Sequence, residues 1–299
     1  MKKVLKWVGI LIGSLIGILL LAAVVMSFTT SRLQKVYDIT PAAINIPEDG
    51  SAVERGEYIY VTICAGCHGD NLEGTAFFDD PMIGTIPAPN LTDGQGGIGT
   101  YYSDLDYVKA IRHGLTPENK PLIIMPSEAF WYFSDEDLGA VIAYMKSAPS
   151  FDNDPGERNL KFMGKVLVAA GAFGNVIFAE TITHDLQPPA VPERAETVEY
   201  GNYLVNIHHC ISCHGANLNG SNSPEPGAPF SPNLTPGGVL STWSADDFVN
   251  TMRTGVTPLG RQLDKTYMPY EEIGQMTDGD LTAMFLYLQS LPALATPLK

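Results

Sequence analysis

The first pattern along the chain is an uncharged run from Trp7 to Ser31, preceded by Lys2, Lys3 and Lys6. Its apolar centre, Val8 to Phe28, makes about 31 Å of helix, enough to cross a hydrocarbon core of about 30 Å. The lysines place the N-terminus in the cytoplasm, although Arg32 and Lys35 reduce the asymmetry. A cleaved signal peptide is the alternative, but its apolar region is usually about 7–15 residues and ends in a small-x-small site. Only Val25-Met26-Ser27 approaches such a site, and no Cys follows the run to carry a lipid. Residues 1–35 therefore read as a retained membrane anchor, and 36–50 as a linker.

Beyond the linker the pattern is amphipathic and helical. Leu138, Val141, Ile142 and Met145 fall at i, i+3, i+4, i+7, and so do Leu281, Met284, Phe285 and Leu288. Ser134 with Asp137, and Thr277 with Asp280, open these two helices. Ser103 with Asp106, and Ser244 with Asp247, open another pair, which ends at Gly114 and Gly255 with Pro three residues later. Ser51 to Glu54 reads as a capping box for a helix running into Cys64. No convincing run of alternating β-branched residues appears, so the expected fold is all-α. Phe162 to Ala179 is apolar but interrupted by Lys165, and the uncharged remainder is too short for a second span. It is expected to form a helix packed across two domains.

Composition narrows the class. The 299 residues are 45% hydrophobic and 17% charged, too apolar for a disordered chain. Lys+Arg 18 against Asp+Glu 33 gives −15. All five basic residues up to Lys35 flank the anchor, so the rest carries 13 basic and 33 acidic residues, or −20. That balance excludes nucleic acid as the main partner. Four Cys are too few for a disulfide scaffold.

The chain is one unit written twice. Cys64-Ala65-Gly66-Cys67-His68-Gly69 recurs as Cys210-Ile211-Ser212-Cys213-His214-Gly215, Pro89-Asn90-Leu91-Thr92 as Pro232-Asn233-Leu234-Thr235, and Met125-Pro126 as Met268-Pro269. Arg112 and Gly114 match Arg253 and Gly255, and the offset drifts only between 146 and 141, as loop indels allow. The predicted domains are 51–150 and 194–299, joined by a connector over 151–193 whose Pro188, Pro189 and Pro192 form a stiff lead.

Cys-x-x-Cys-His is the attachment signal for c-type haem. Two thiols add across the vinyl groups on one porphyrin edge, and the adjacent His is the proximal iron ligand. A redox dithiol would sit in a βαβ context, and a zinc site would need a second ligand pair nearby. Neither is present, and the two motifs use every Cys in the chain. Two covalently bound haem c groups are expected, with His68 and His214 as iron ligands. Met125 and Met268 are the candidates for the sixth position, because they match in both copies and a following Pro stiffens each loop. Met145 lacks the match, its counterpart being Leu288, and His113 answers to Thr254.

Arg112 and Arg253 are candidates to pair with haem propionates, the alternative being a solvated helix end. Asn90 and Asn233, with Thr92 and Thr235, either cap a turn or donate to the propionates. His184, His208 and His209 receive no role. Covalent haem attachment belongs to the exported side, so both copies are expected there together.

From Ser51 to about Pro292 the chain resembles the membrane-bound dihaem cytochromes c, whose tandem class I cytochrome c domains are similar to the cytochrome subunits of bacterial alcohol and gluconate dehydrogenases. The two Cys-x-x-Cys-His sets, the two Pro-Asn-Leu-Thr runs and the two Met-Pro pairs carry the likeness, together with Thr183-His184-Asp185 before Pro188. It implies an electron-transfer protein, not an enzyme, with membrane lipid and redox proteins as partners: a respiratory complex or a dehydrogenase. A dihaem peroxidase would need one open iron and an adjacent acid/base residue, whereas both copies keep a candidate Met. A subunit of a larger oxidoreductase complex is the other alternative.

Overall fold

A computed structural model describes residues 2–190, 192–222 and 227–297. It opens with α1 (Lys2–Leu33), 32 residues with mean hydropathy 2.8 over its most apolar stretch. The first copy follows with α2 (Gly50–Ile59), one π turn over Tyr60–Cys64, and α3 (Ala65–His68). Strands β1 (Thr75–Asp80) and β2 (Gly84–Ala88) come next, then α4 (Asp104–His113), α5 (Ser127–Phe130) and α6 (Asp135–Ser147). The connector holds β3 (Asn159–Leu160) and α7 (Phe162–Ala169). The second copy comprises α8 (Val198–Ile207), α9 (Cys210–His214), α10 (Ala245–Thr254), α11 (Tyr270–Ile273) and α12 (Asp278–Ser290).

Both copies are built on the same helix pair, α2 with α6 and α8 with α12. A glycine permits each close approach. A Cβ on Gly56 would lie 2.0 Å from the Ala140 carbonyl oxygen, and one on Gly201 would lie 1.9 Å from that of Ala283. One continuous core runs through both copies, from Ile59, Tyr60 and Leu138 to Leu204, Leu281 and Met284.

The expected helical class holds, with a small sheet added, and two local expectations are corrected. The helices dominate, but β1, β2 and β3 form a small antiparallel sheet in that order. Its strands are short and β1 does not alternate cleanly between buried and exposed positions, so no period-2 signal exists to be read. The cap of α2 is Asp49, whose carboxylate accepts from the Ala52 N–H at 3.0 Å and from the Ser51 hydroxyl at 2.6 Å. Ser51 already lies inside the first turn, where its own backbone is helical, so it cannot be the cap. The connector helix α7 does not bridge the copies. It packs on α1, where the Thr29 hydroxyl donates to the Lys165 carbonyl at 2.9 Å.

The reciprocal caps of α4 and α10, from Ser103 with Asp106 and from Ser244 with Asp247, form as the spacing predicts. Gly114 and Gly255 end these helices at φ +64° and +70°, the left-handed region that glycine enters without a Cβ clash.

Candidate haem sites

In each copy the attachment motif ends one short helix, and the residues after it fold back identically. The Gly74 N–H donates to the His68 carbonyl at 2.8 Å, and the Gly220 N–H to that of His214 at 2.9 Å. Leu91 N–H then reaches the Leu72 carbonyl, as Leu234 N–H reaches that of Leu218. Leu72 and Leu218 hold positive φ, +62° and +55°, to make that turn. The fold-back brings the Pro89 carbonyl 3.0 Å from His68 Nδ1, and the Pro232 carbonyl 2.8 Å from His214 Nδ1. A carbonyl can only accept, so Nδ1 carries the proton and Nε2 is left with its lone pair free. Burial lowers the pKa of both imidazoles, against the opposing effect of the two carbonyls. Both are neutral near pH 7, the state in which an imidazole can ligate a metal.

Cys64, Cys67, His68 and Met125 line one cavity in the first copy. Its walls are otherwise almost wholly apolar, with Ile86, Leu91, Ile111, Phe130 and Phe133 among them. Burial pushes the thiols of Cys64 and Cys210 up to about 12, each with its partner Cys adding to the shift. No disulfide joins either pair. Met125 follows Ile124, which sits at φ +73°, a strained conformation for a β-branched residue. The connector holds it there, since the Ile124 N–H donates to the Val176 carbonyl at 2.8 Å. Met145 also lines this cavity, from α6.

A cytochrome c family model matches residues 53–149 and 198–292. The chain belongs to the cytochrome c family. Among its relatives, the fructose dehydrogenase cytochrome subunit of Gluconobacter japonicus is 29% identical over 282 residues, covering 86% of this chain and 55% of the relative. The gluconate 2-dehydrogenase cytochrome c subunit of Pantoea cypripedii is 31% identical over 279 residues, 81% of this chain and 60% of that one. The cytochrome c subunit of the quinone alcohol dehydrogenase of Gluconobacter oxydans is 27% identical, with 82% and 56% covered. The chain thus spans little more than half the length of these curated relatives.

Cytochrome c domains imply covalently bound haem c, and the cavity fits one. Two thiols on adjacent turns supply the attachment points, a neutral imidazole offers a free Nε2, a thioether lines the same space, and the walls are almost wholly apolar. Among the described residues no cluster of three or more His, Cys, Asp or Glu side chains is arranged to hold a metal ion.

Four sequence candidates are bonded within the protein. Asn90 Oδ1 accepts from the Thr92 N–H and hydroxyl at 2.9 and 2.8 Å, while its Nδ2 donates to the Phe151 carbonyl at 2.6 Å. Asn233 repeats this with Thr235 and the Leu294 carbonyl at 2.8 Å. Each asparagine closes a turn and clasps the chain leaving the last helix of its copy. The turn-capping alternative accounts for all of these bonds. Arg112 is buried and pairs with Asp135 at 2.7 Å and the Phe133 carbonyl at 2.8 Å; Arg253 pairs with Asp278 at 2.6 Å. Each arginine is tied to the first residue of the last helix of its copy; Arg253 stays exposed, as a solvated helix end does, whereas Arg112 is buried, with both Nη groups engaged and its Nε without a partner among the described residues. His113 Nδ1 lies 3.0 Å from His184 Nδ1, and neither residue is among those lining the cavity.

Sequence reading missed what joins the copies. Tyr203 on α8 donates to Asp137 on α6, and Tyr58 on α2 donates to Asp280 on α12. Glu128 on α5 pairs with His209 Nε2 at 3.0 Å, beside the second attachment motif, while α11 packs on the π turn that leads to Cys64. The helix after each Met-Pro pair therefore abuts the attachment region of the other copy. Pairing Tyr58 with Tyr203, and Gly56 with Gly201, at an offset of 145 was the available signal.

Proposed function

We propose that the chain is a membrane-anchored dihaem cytochrome c that relays single electrons on the extracytoplasmic side. Cys64, Cys67 and Cys210, Cys213 would carry the two haems, with His68 and Met125 ligating one iron and His214 and Met268 the other. α1 holds the protein in membrane lipid, N-terminus in the cytoplasm. The donors and acceptors are redox proteins of the membrane, either a dehydrogenase or a respiratory complex; the names of the relatives support the first. The single observation that carries the reading is the cavity shared by the carbonyl-bound His68, its two cysteines and Met125, with the carbonyl-bound His and the Met-Pro pair recurring in the second copy.

Bound haem c supplies reversible one-electron chemistry at iron. The chain's own residues prepare for it. Pro89 and Pro232 fix the imidazole tautomer and orientation. The strained Ile124 and the stiff Pro126 hold the thioether of Met125 in place, and the apolar walls keep water from the metal, which favours electron transfer over reaction with peroxide. The shared interface sets the helix after each Met-Pro pair against the attachment region of the other copy, which supports a relay within one chain. The strongly acidic exported part favours a basic docking face on its partner.

The test is spectroscopic. Two haems per chain should remain attached after denaturation and acid extraction. The oxidised protein should show a Met-to-ferric-haem charge-transfer band, and the reduced protein should bind little carbon monoxide. Rapid carbon monoxide binding with peroxide turnover would replace the relay with a peroxidase.

A further inference from the structure

We propose that a second element of the chain contacts the bilayer: the start of α7 and the tip of the β1–β2 hairpin sit at the headgroup–acyl boundary of the leaflet facing the haem domains. This rests on the reading of α1 as a retained anchor.

Three observations carry it. First, α7 is held at the depth where the anchor leaves the hydrocarbon. Thr29 immediately follows Phe28, the end of the apolar centre, and its hydroxyl is bonded to the carbonyl of Lys165 in the middle of α7. Ala22, Val25 and Met26 are half-buried and Thr29 and Leu33 buried, one stripe along the anchor at helical spacing. Eight residues make α7 about 12 Å long, so either end lies within about 6 Å of Thr29 along its axis. Interfacial helices sit about 5–10 Å into this boundary.

Second, large apolar side chains are exposed at that level. Met82 is 66% exposed, Phe162 51% and Met163 38%. They are neighbours, because the Lys161 N–H donates to the Ile83 carbonyl at 2.9 Å and its ammonium to the Pro81 carbonyl at 2.8 Å. Third, Arg158, Lys161 and Lys165 are the only charged residues from 158 to 179, and on the hairpin side Asp80 is engaged at the tip, its Oδ1 accepting from the Met82 and Ile83 N–H groups at 2.8 Å with Lys161 nearby. Basic residues flanking apolar ones suit anionic headgroups. Continuity with the anchor makes lipid the occupant of this face, not a further protein.

The haem-loaded full chain in nanodiscs of phosphatidylcholine and phosphatidylglycerol provides the test. Native cysteines are consumed by haem attachment, so Met82→Cys and Phe162→Cys are probed with a bulky water-soluble maleimide, against wild type as background. Glu193→Cys serves as the aqueous control and Leu19→Cys as the lipid control. Both test positions should label at least about tenfold more slowly than Glu193→Cys, as an apolar side chain lodged in the interface would. Met163→Cys replaces either variant that fails to assemble with haem. Aqueous labelling rates at 82 and 162 with Leu19→Cys protected would overturn the proposal and leave the anchor standing; this is also the outcome if a protein covers the face in the cell. Aqueous rates at Leu19→Cys as well would overturn both.

Discussion

Tyr203 donates its phenol to Asp137 at 2.7 Å, across the boundary between the two copies. Tyr58 donates to Asp280 at 2.5 Å, the same bond with the copies exchanged. The Thr277 N–H donates to Tyr58 Oη at 3.1 Å, and the Ser134 N–H to Tyr203 Oη at 3.4 Å. The two halves thus meet as a symmetric dimer would, with one patch used twice. Asp137 is 1% exposed and also accepts from Arg55 and Arg194. Burial alone would raise its pKa, but Arg55, Tyr203 and Arg194 hold it below the usual carboxylate range.

Asp137→Ala should therefore destabilise the protein by about 3–5 kcal/mol, because it strands the buried Arg55 guanidinium. Tyr203→Phe should cost only about 1–2 kcal/mol. Chemical denaturation followed through the second copy's aromatic signal would measure both. Equal costs would show that Asp137 is not the centre of the cluster.

Gly56→Ala and Gly201→Ala should each lower stability by about 1–3 kcal/mol, since the new methyl would drive into a backbone carbonyl that cannot swing aside. Thermal melting compares them with Gly50→Ala, at a position where a Cβ meets nothing within 4 Å. A loss confined to the matched pair marks the two helix crossings as the tight points of the fold.

Met268→Ala should lower the reduction potential of one haem while both remain covalently attached, because a thioether ligand favours the ferrous state. Redox titration reads this directly. Two unchanged potentials would remove Met268 from the ligand set.

Acid should weaken the tie between the first copy and the connector. Burial, with His184 and Arg112 adding to it, lowers the pKa of His113 from 6.5 to about 4. Between those values the unfolded chain takes up a proton that the folded protein refuses. Stability therefore falls as the pH drops through this window, by up to about 1.4 kcal/mol per unit, and this group adds no slope above 6.5. Urea denaturation of the wild type and of His113→Gln, run across the window, should show the shallower slope in the variant.

Local chemistry was legible from the residues: the attachment motifs, the caps at Ser103 and Ser244, and the αL stops at Gly114 and Gly255 depend on neighbours within a few positions. Asn90 and Asn233 show where legibility ends. Repetition flagged them, but their partners, Phe151 and Leu294, lie about sixty residues away, and nothing in the local pattern distinguishes a clasp from a cofactor donor. Arg112 was ambiguous for the same reason, since Asp135 becomes its partner only when α4 and α6 meet.

The linear order of residues determined the helical class, the twofold repetition, the anchor-length helix and the covalent haem chemistry, because periodicity, capping and motif spacing act over a few turns of chain. Tertiary structure alone decided that the copies exchange Tyr–Asp bonds, that α7 lies on α1, and that a carbonyl fixes the imidazole of each Cys-x-x-Cys-His motif. Those outcomes depend on which distant surfaces become neighbours, and that is set by burial of the whole core at once.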